Sequence, residues 1–140
     1  AIAVARDADQ AEIVSSQMQT AIRSSISQTP DHGAEIVQII LNDPELRAEW
    51  EAELRQMRER MKRLRVKLAD AIRERSNSAD FDFIAGHSGM FSLLGLPEDV
   101  VGRLKTEDGI YMINDSRINV AGIPEDRIGE LADKLLEAVR

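Results

Sequence analysis

The sequence predicts an α+β protein, and three observations carry that prediction. One apolar stripe marks a long central helix, three or four short apolar segments bounded by turns follow it, and an amphipathic helix closes the chain. In order, residues 1–5 are small and β-branched, compatible with a short strand. From Asp7 a helix is expected, because Ala11, Val14, Met18 and Ile22 recur at spacings of three and four. Residues 23–33, RSSISQTPDHG, are dense in Ser, Thr, Pro, Asp and Gly and read as a loop. Residues 34–41 form a short apolar helix that stops at Asn42-Asp43-Pro44, with Asp43 as N-cap and Pro44 at the first position of the next helix. That next helix is the strongest signal. Leu46, Trp50, Leu54, Met57, Met61, Leu64, Leu68 and Ile72 hold one stripe for about 27 residues, a length of roughly 40 Å. Such a length suits a bridge between two bodies or a subunit contact. Ser76-Asn77-Ser78 ends it.

Beyond it, Phe81, Phe83 and Ile84 suggest a strand, residues 86–89 a turn and residues 90–94 a second strand. A short helix spans 97–107, strands are expected at 110–113 and 117–121 around the turn Asn114-Asp115-Ser116, and a helix runs over 124–140. Its stripe is Ile128, Leu131, Leu135 and Val139.

Composition narrows the function. With 140 residues, 43% hydrophobic and 31% charged, the chain is neither disordered nor membrane-spanning in character. Its 25 acidic against 18 basic residues give a net charge of −7, unfavourable for nucleic-acid binding. Cysteine is absent, which removes disulfides, thiolate metal sites and a cysteine nucleophile. A cytoplasmic, soluble protein is expected, and the apolar start at Ala1 without methionine suggests a sequence entered midway.

Several motifs carry little. The seven basic residues between Arg55 and Lys67 read as a solvated helix face, partly paired with Glu49, Glu51, Glu53 and Glu59. His32 and His87 lack a second ligand at helical spacing, so no metal site is expected. Gly86-His87-Ser88-Gly89-Met90 has methionine where a nucleophile elbow needs its final glycine. Asn114-Asp115-Ser116 matches a glycosylation sequon, which means nothing without a secretory signal. Asp80 and Asp82 alternate with Phe81 as on an exposed strand face. Arg117 is different. A guanidinium amid small apolar residues needs a partner because it cannot shed its charge. Spacing leaves two readings open, a structural ion pair with an internal carboxylate or a fork that binds a ligand carboxylate bidentately.

Gly89-Met90-Phe91-Ser92, Gly109-Ile110-Tyr111 and Ser116-Arg117-Ile118-Asn119-Val120-Ala121-Gly122 occur in the order and spacing of a known family, and Arg23, Ser27, Pro30, His32, Gly33 and Ala34 agree with it. Together they resemble the C-terminal part of the fold-type I, pyridoxal-phosphate-dependent aminotransferases, in the aspartate and aromatic amino-acid subgroup. The resemblance covers essentially the whole chain. It implies an α+β fragment of an α/β protein: residues 1–43 the end of the large cofactor domain, 44–75 the long interdomain helix and 76–140 the small domain.

By the same resemblance, Arg117 grips the substrate α-carboxylate, and Arg23 reaches into the neighbouring subunit's site towards the side-chain carboxylate of dicarboxylic substrates. Ser27 touches the cofactor phosphate across a homodimer interface, and Phe91 lies near the substrate side chain or is simply a core phenylalanine. Ile26 stands where relatives often carry an aromatic residue, and Thr29 replaces the first of two prolines. The lysine that forms the Schiff base with pyridoxal phosphate has no match, because Lys62, Lys67, Lys105 and Lys134 lack the family's serine-rich context. The isolated chain is therefore expected to be inactive, while the full-length protein moves an amino group from an aromatic or acidic amino acid to a 2-oxo acid such as 2-oxoglutarate. Aromatic substrates are favoured by the likeness of residues 109–112 and 115–119 to aromatic-type members. The competing expectation is a non-catalytic helical dimerisation module built on the stripe over 46–72.

Overall fold

The computed structural model of the chain describes residues 4–27 and 30–139. Its elements are α1 (Ala8–Ile26), α2 (His32–Asn42), α3 (Pro44–Ser76), α4 (Phe83–Gly86), β1 (Phe91–Leu93), α5 (Glu98–Glu107), β2 (Arg117–Asn119) and α6 (Ile128–Ala138). Turns of 3-10 helix stand at Val120–Gly122 and Glu125–Arg127. The chain divides into two compact units, Ala1–Glu49 and Trp50–Arg140.

In the first unit, Asp7 caps α1 by accepting the Gln10 N–H at 2.9 Å. The helix runs on through Arg23 to Ile26, so the loop expected over 23–33 is helical at its start. Ser24 and Ser25 explain the difference. Their hydroxyls donate to the carbonyls of Thr20 and Ala21, both at 2.8 Å, which satisfies them inside the helix rather than in a turn. Ser27, at φ 65°, ends it. The other end of that expected loop is helical too, since α2 begins at His32. Neither α1 nor α2 buries a residue. Of the strand expected over 1–5, residues 1–3 lie outside the described residues and the remaining two are irregular. Thr29 also lies outside them.

The entry to α3 is as its sequence dictates. Asp43 Oδ1 accepts the N–H groups of Glu45 at 2.8 Å and Leu46 at 3.1 Å, and Pro44 fills the first helical position. Asp43→Ala is expected to lower the stability of the chain by about 1 kcal/mol. Urea unfolding measures this, and an unmoved midpoint would show the cap to be dispensable.

The core belongs to the second unit. Leu64, Leu68 and Ile72 of α3 join Ile84, Val101, Leu104, Val120 and Leu135 in one buried cluster. The α3 stripe thus divides. Leu46, Trp50, Leu54 and Met57 are exposed, and burial begins only around Met61. β1 and β2 pair antiparallel, with Phe91 opposite Asn119, Ser92 opposite Ile118 and Leu93 opposite Arg117. Two further bonds extend the pairing: the Leu94 N–H to the Ser116 carbonyl at 3.1 Å, and the Val120 N–H to the Met90 carbonyl at 2.9 Å.

Two expected strands are absent. Residues 81–84 turn into α4 because Asp82 is claimed by Arg73, whose Nε reaches Oδ1 at 3.0 Å, and Phe83 meets His87 one helical turn on, with ring centroids 5.3 Å apart. The alternation of Asp80, Phe81 and Asp82 is therefore not that of a strand face. Residues 110–113 are irregular, since the Ile110 N–H bonds the Leu104 carbonyl at 2.9 Å and the sheet of the described residues has only β1 and β2. The strand expected over 117–121 stops at Asn119, whose side chain accepts the Ala121 N–H at 3.0 Å and starts the 3-10 turn.

The basic run on α3 is also not uniformly solvated. Arg60 donates to the carbonyls of Ala121 at 3.0 Å and Ile123 at 3.3 Å, Lys67 pairs with Glu125, and Arg65 is 2% exposed. Around Glu59, flanked by Arg58 and Lys62, it matches the surface pairing expected. The Lys67 ammonium holds the Glu125 carboxyl below its usual range, and the Arg73 hydrogen bond does the same for Asp82. Both ties are complete above the ordinary carboxylate pKa and are lost as pH falls through and below it.

Candidate functional site

Among the expected site residues, the structure brings Phe91 and Arg117 together. Burial alternates as exposed, buried, exposed along both strands, so Phe91, Leu93, Arg117 and Asn119 share the open face of the sheet while Ser92 and Ile118 face the core. Phe91 lies opposite Asn119, which makes Arg117 its diagonal neighbour, at the separation of about 7–8 Å usual for such pairs. Phe91 is 48% exposed and is therefore not a core residue in this chain.

Arg117 stands at the start of β2, directly after Ser116, which is fully buried and holds φ at 67°. The Ser116 hydroxyl oxygen accepts two backbone N–H groups, those of Gly95 at 2.9 Å and Leu96 at 3.1 Å. This ties the loop after β1 to the loop before β2, and so fixes where Arg117 leaves the turn. The Arg117 backbone N–H donates to Asp115 Oδ1 at 3.0 Å, and its guanidinium Nη2 donates to Asp115 Oδ2 at 2.8 Å. The pair is about half exposed on both sides, so it is worth about 0–1 kcal/mol. Both sequence readings therefore meet a definite geometry. An ion pair exists, but it is local and surface-lying, and a carboxylate from outside can displace it at little cost.

Arg23 and Ser27 belong to the first unit. Arg23 is exposed in the last turn of α1, and its carbonyl accepts the Ser27 N–H at 3.1 Å. Four residues apart, they lie one turn from each other at the same helix end.

A cleft of about 330 Å³ also opens in the second unit, lined by apolar Ile110, Ile118, Ile123 and Leu131 and by Tyr111 and Arg127 among others. Arg117 and Phe91 do not line it. Its one lining cation, Arg127, is held by both arms to Glu130 at 2.7 and 2.8 Å. Among the described residues no cluster of three His, Cys, Asp or Glu side chains suits a metal ion, and no helix is long and apolar enough to cross a membrane.

Sequence reasoning missed Arg65. Its Nε donates to Ser92 Oγ at 3.3 Å and its Nη2 to the Gly89 carbonyl, beneath the strand that bears Phe91. The signal was present, since position 65 lies four residues after Met61 and three before Leu68, inside the buried arc of α3.

Set beside solved structures, this fold is that of an aminotransferase. An aromatic amino acid aminotransferase solved with 3-indolepropionic acid superposes with a TM-score of 0.92 at 46% identity, over 96% of this chain and 34% of that one. The family described as aminotransferase class I and II matches residues 1–135, and the chain belongs to it. The aromatic-amino-acid aminotransferase of Paracoccus denitrificans is 46% identical over 97% of this chain, and the aspartate aminotransferase of Salmonella typhi is 42% identical over 95%. The chain spans about a third of the length of these curated relatives, 34% in each case.

A further relative, from Burkholderia pseudomallei, was solved covalently bound to pyridoxal phosphate. The described residues of this chain do not by themselves fit that group. Lys62, Lys67 and Lys134 are each paired with carboxylates. The cleft sets Asp108 and Glu130 against one arginine, the wrong balance for a phosphate.

Proposed function

We propose that this chain is a segment of a pyridoxal-phosphate-dependent aminotransferase in which it supplies recognition of the substrate carboxylate. The full-length protein moves an amino group from an aromatic or acidic amino acid to a 2-oxo acid such as 2-oxoglutarate, and works as a homodimer in the cytoplasm. Residues 1–43 close the large domain, 44–75 form the interdomain helix and 76–140 the small domain. The cofactor is held mainly by residues outside this chain, which alone does not transaminate.

One observation carries the reading: an exposed arginine beside an exposed phenylalanine on the open face of a sheet whose other face is core. Arg117 presents a planar fork that matches a carboxylate with two parallel hydrogen bonds. An incoming carboxylate takes Nη2 from Asp115, exchanging a weak exposed pair for a better-aligned one. Phe91 supplies an apolar surface beside that fork, suited to an aromatic side chain. With the carboxylate fixed, the amino acid's orientation is set, which is how a positioning group contributes to rate. Arg23 and Ser27 are assigned to the partner's site, Arg23 for the second carboxylate of an acidic substrate and Ser27 for the cofactor phosphate.

The dimerisation reading draws on the exposed Leu46, Trp50, Leu54 and Met57 of α3. An assay separates the two. The full-length protein, supplied with tyrosine, phenylalanine or aspartate and 2-oxoglutarate, is expected to release the matching 2-oxo acid and glutamate, and the 140-residue chain alone to release neither. A full-length protein that self-associates tightly and transfers no amino group from any of the three would leave only the dimerisation reading.

A further inference from the structure

We propose that Arg65 is a positioning residue for the substrate face, fixing from below the segment that presents Phe91 and, through strand pairing, Arg117. The proposal rests on the reading of that face as the carboxylate-binding one.

Arg65 is 2% exposed, and both acceptors it engages are neutral: Ser92 Oγ and the Gly89 carbonyl. Burial pushes its guanidinium below the usual arginine range. A buried charge held by neutral partners is a poor device for stability, because an apolar side chain of similar volume commonly serves as well or better. What an apolar side chain cannot do is join two fixed atoms. The two that Arg65 joins bracket Met90 and Phe91. Gly89 holds φ at 85° where the chain turns into β1, and Ser92 is the inward residue of that strand.

From β1 the constraint passes to β2. The Val120 N–H bonds the Met90 carbonyl at 2.9 Å, and the Leu94 N–H bonds the Ser116 carbonyl at 3.1 Å, one residue before Arg117. A three-residue strand pair has few bonds of its own to hold its position, so an anchor beneath it has leverage on both outward side chains.

The test uses the full-length protein with Arg65→Met, which keeps apolar bulk and removes the fork, and Ser92→Ala, which removes one acceptor without touching the arginine. Two readouts are taken. Amide exchange at Leu94 and Val120 reports the strand position, with α6 amides as control. Kinetics separate KM from kcat. The expected result is faster exchange at those two amides with α6 unchanged, and a KM for amino acids raised about tenfold in Arg65→Met while kcat stays within about twofold. Ser92→Ala should shift both in the same direction by less, and it decides the matter if Arg65→Met does not fold. Wild-type exchange or wild-type KM in these variants overturns the positioning role. If Arg117→Leu raises KM in the same assay, the substrate face survives that failure. If Arg117→Leu also leaves KM unchanged, both ideas fall.

Discussion

Replacing Arg117 by leucine in the full-length protein is expected to lower kcat/KM for amino acids and 2-oxo acids alike by about two to four orders of magnitude, with folding intact. The estimate follows from two charge-assisted hydrogen bonds at about 1.5–3 kcal/mol each, with about 1.4 kcal/mol per factor of ten. Folding should hold because Arg117 is about half exposed and Asp115, its side-chain partner, shares that exposure. Arg117→Lys should recover only part of the loss, since a point charge restores attraction without the planar fork. Steady-state kinetics with both substrate classes, together with a circular dichroism spectrum, provide the check. Normal kinetics in Arg117→Leu would remove carboxylate recognition from this chain.

The second large effect is on stability. Ser116→Ala is expected to cost about 2–4 kcal/mol, because the buried Leu96 N–H loses its acceptor at about 1–3 kcal/mol and the partly buried Gly95 N–H at about 1 kcal/mol. Ser116 is fully buried, so water does not readily take the place of its hydroxyl. Ser116→Gly sharpens the test. Glycine relieves the positive φ, worth about 1 kcal/mol, but supplies no acceptor, so it should fall between alanine and wild type. Urea midpoints for the three forms decide this, and an alanine variant as stable as the wild type would mean that the two N–H groups find other partners.

The helices were largely legible in the sequence because their signals are long and redundant. The α3 stripe repeats over many turns, and its start is marked by an aspartate and a proline whose roles the structure reproduces at atomic detail. The short strands were not. Phe81, Phe83 and Ile84 satisfy the alternation of a strand as well as the spacing of a helical turn, and four residues cannot settle the period. What decided it was Arg73, nine residues earlier, which captures Asp82 and which no local pattern announces. Residues 110–113 have strand composition, but the bond from the Ile113 N–H to the Arg117 carbonyl at 3.2 Å closes a tight turn and does not extend into a ladder.

At the candidate site, the need of Arg117 for a partner was readable, and the partner proved to be the nearest carboxylate in sequence, Asp115. Its diagonal approach to Phe91 was not readable, since it depends on the register of two strands more than twenty residues apart. The buried arginine was overlooked for a different reason. A run of seven basic residues reads as one surface, although the helix buries Arg65 and ties the partly buried Arg60 to the Ala121 carbonyl.

The distribution of burial also bears on how the chain is made. Among the described residues, every buried hydrophobic residue lies between Leu64 and Leu136, and the cluster draws on both α3 and α6. As the polypeptide leaves the ribosome, α3 emerges long before the surface that covers it, and Leu64 waits some seventy residues for Leu135. Until then Ile84, Val101, Leu104 and Val120 can cover it only in part. The core is completed only when α6 arrives, so a ribosome that stalls before it leaves part of the apolar cluster open, a natural substrate for chaperones.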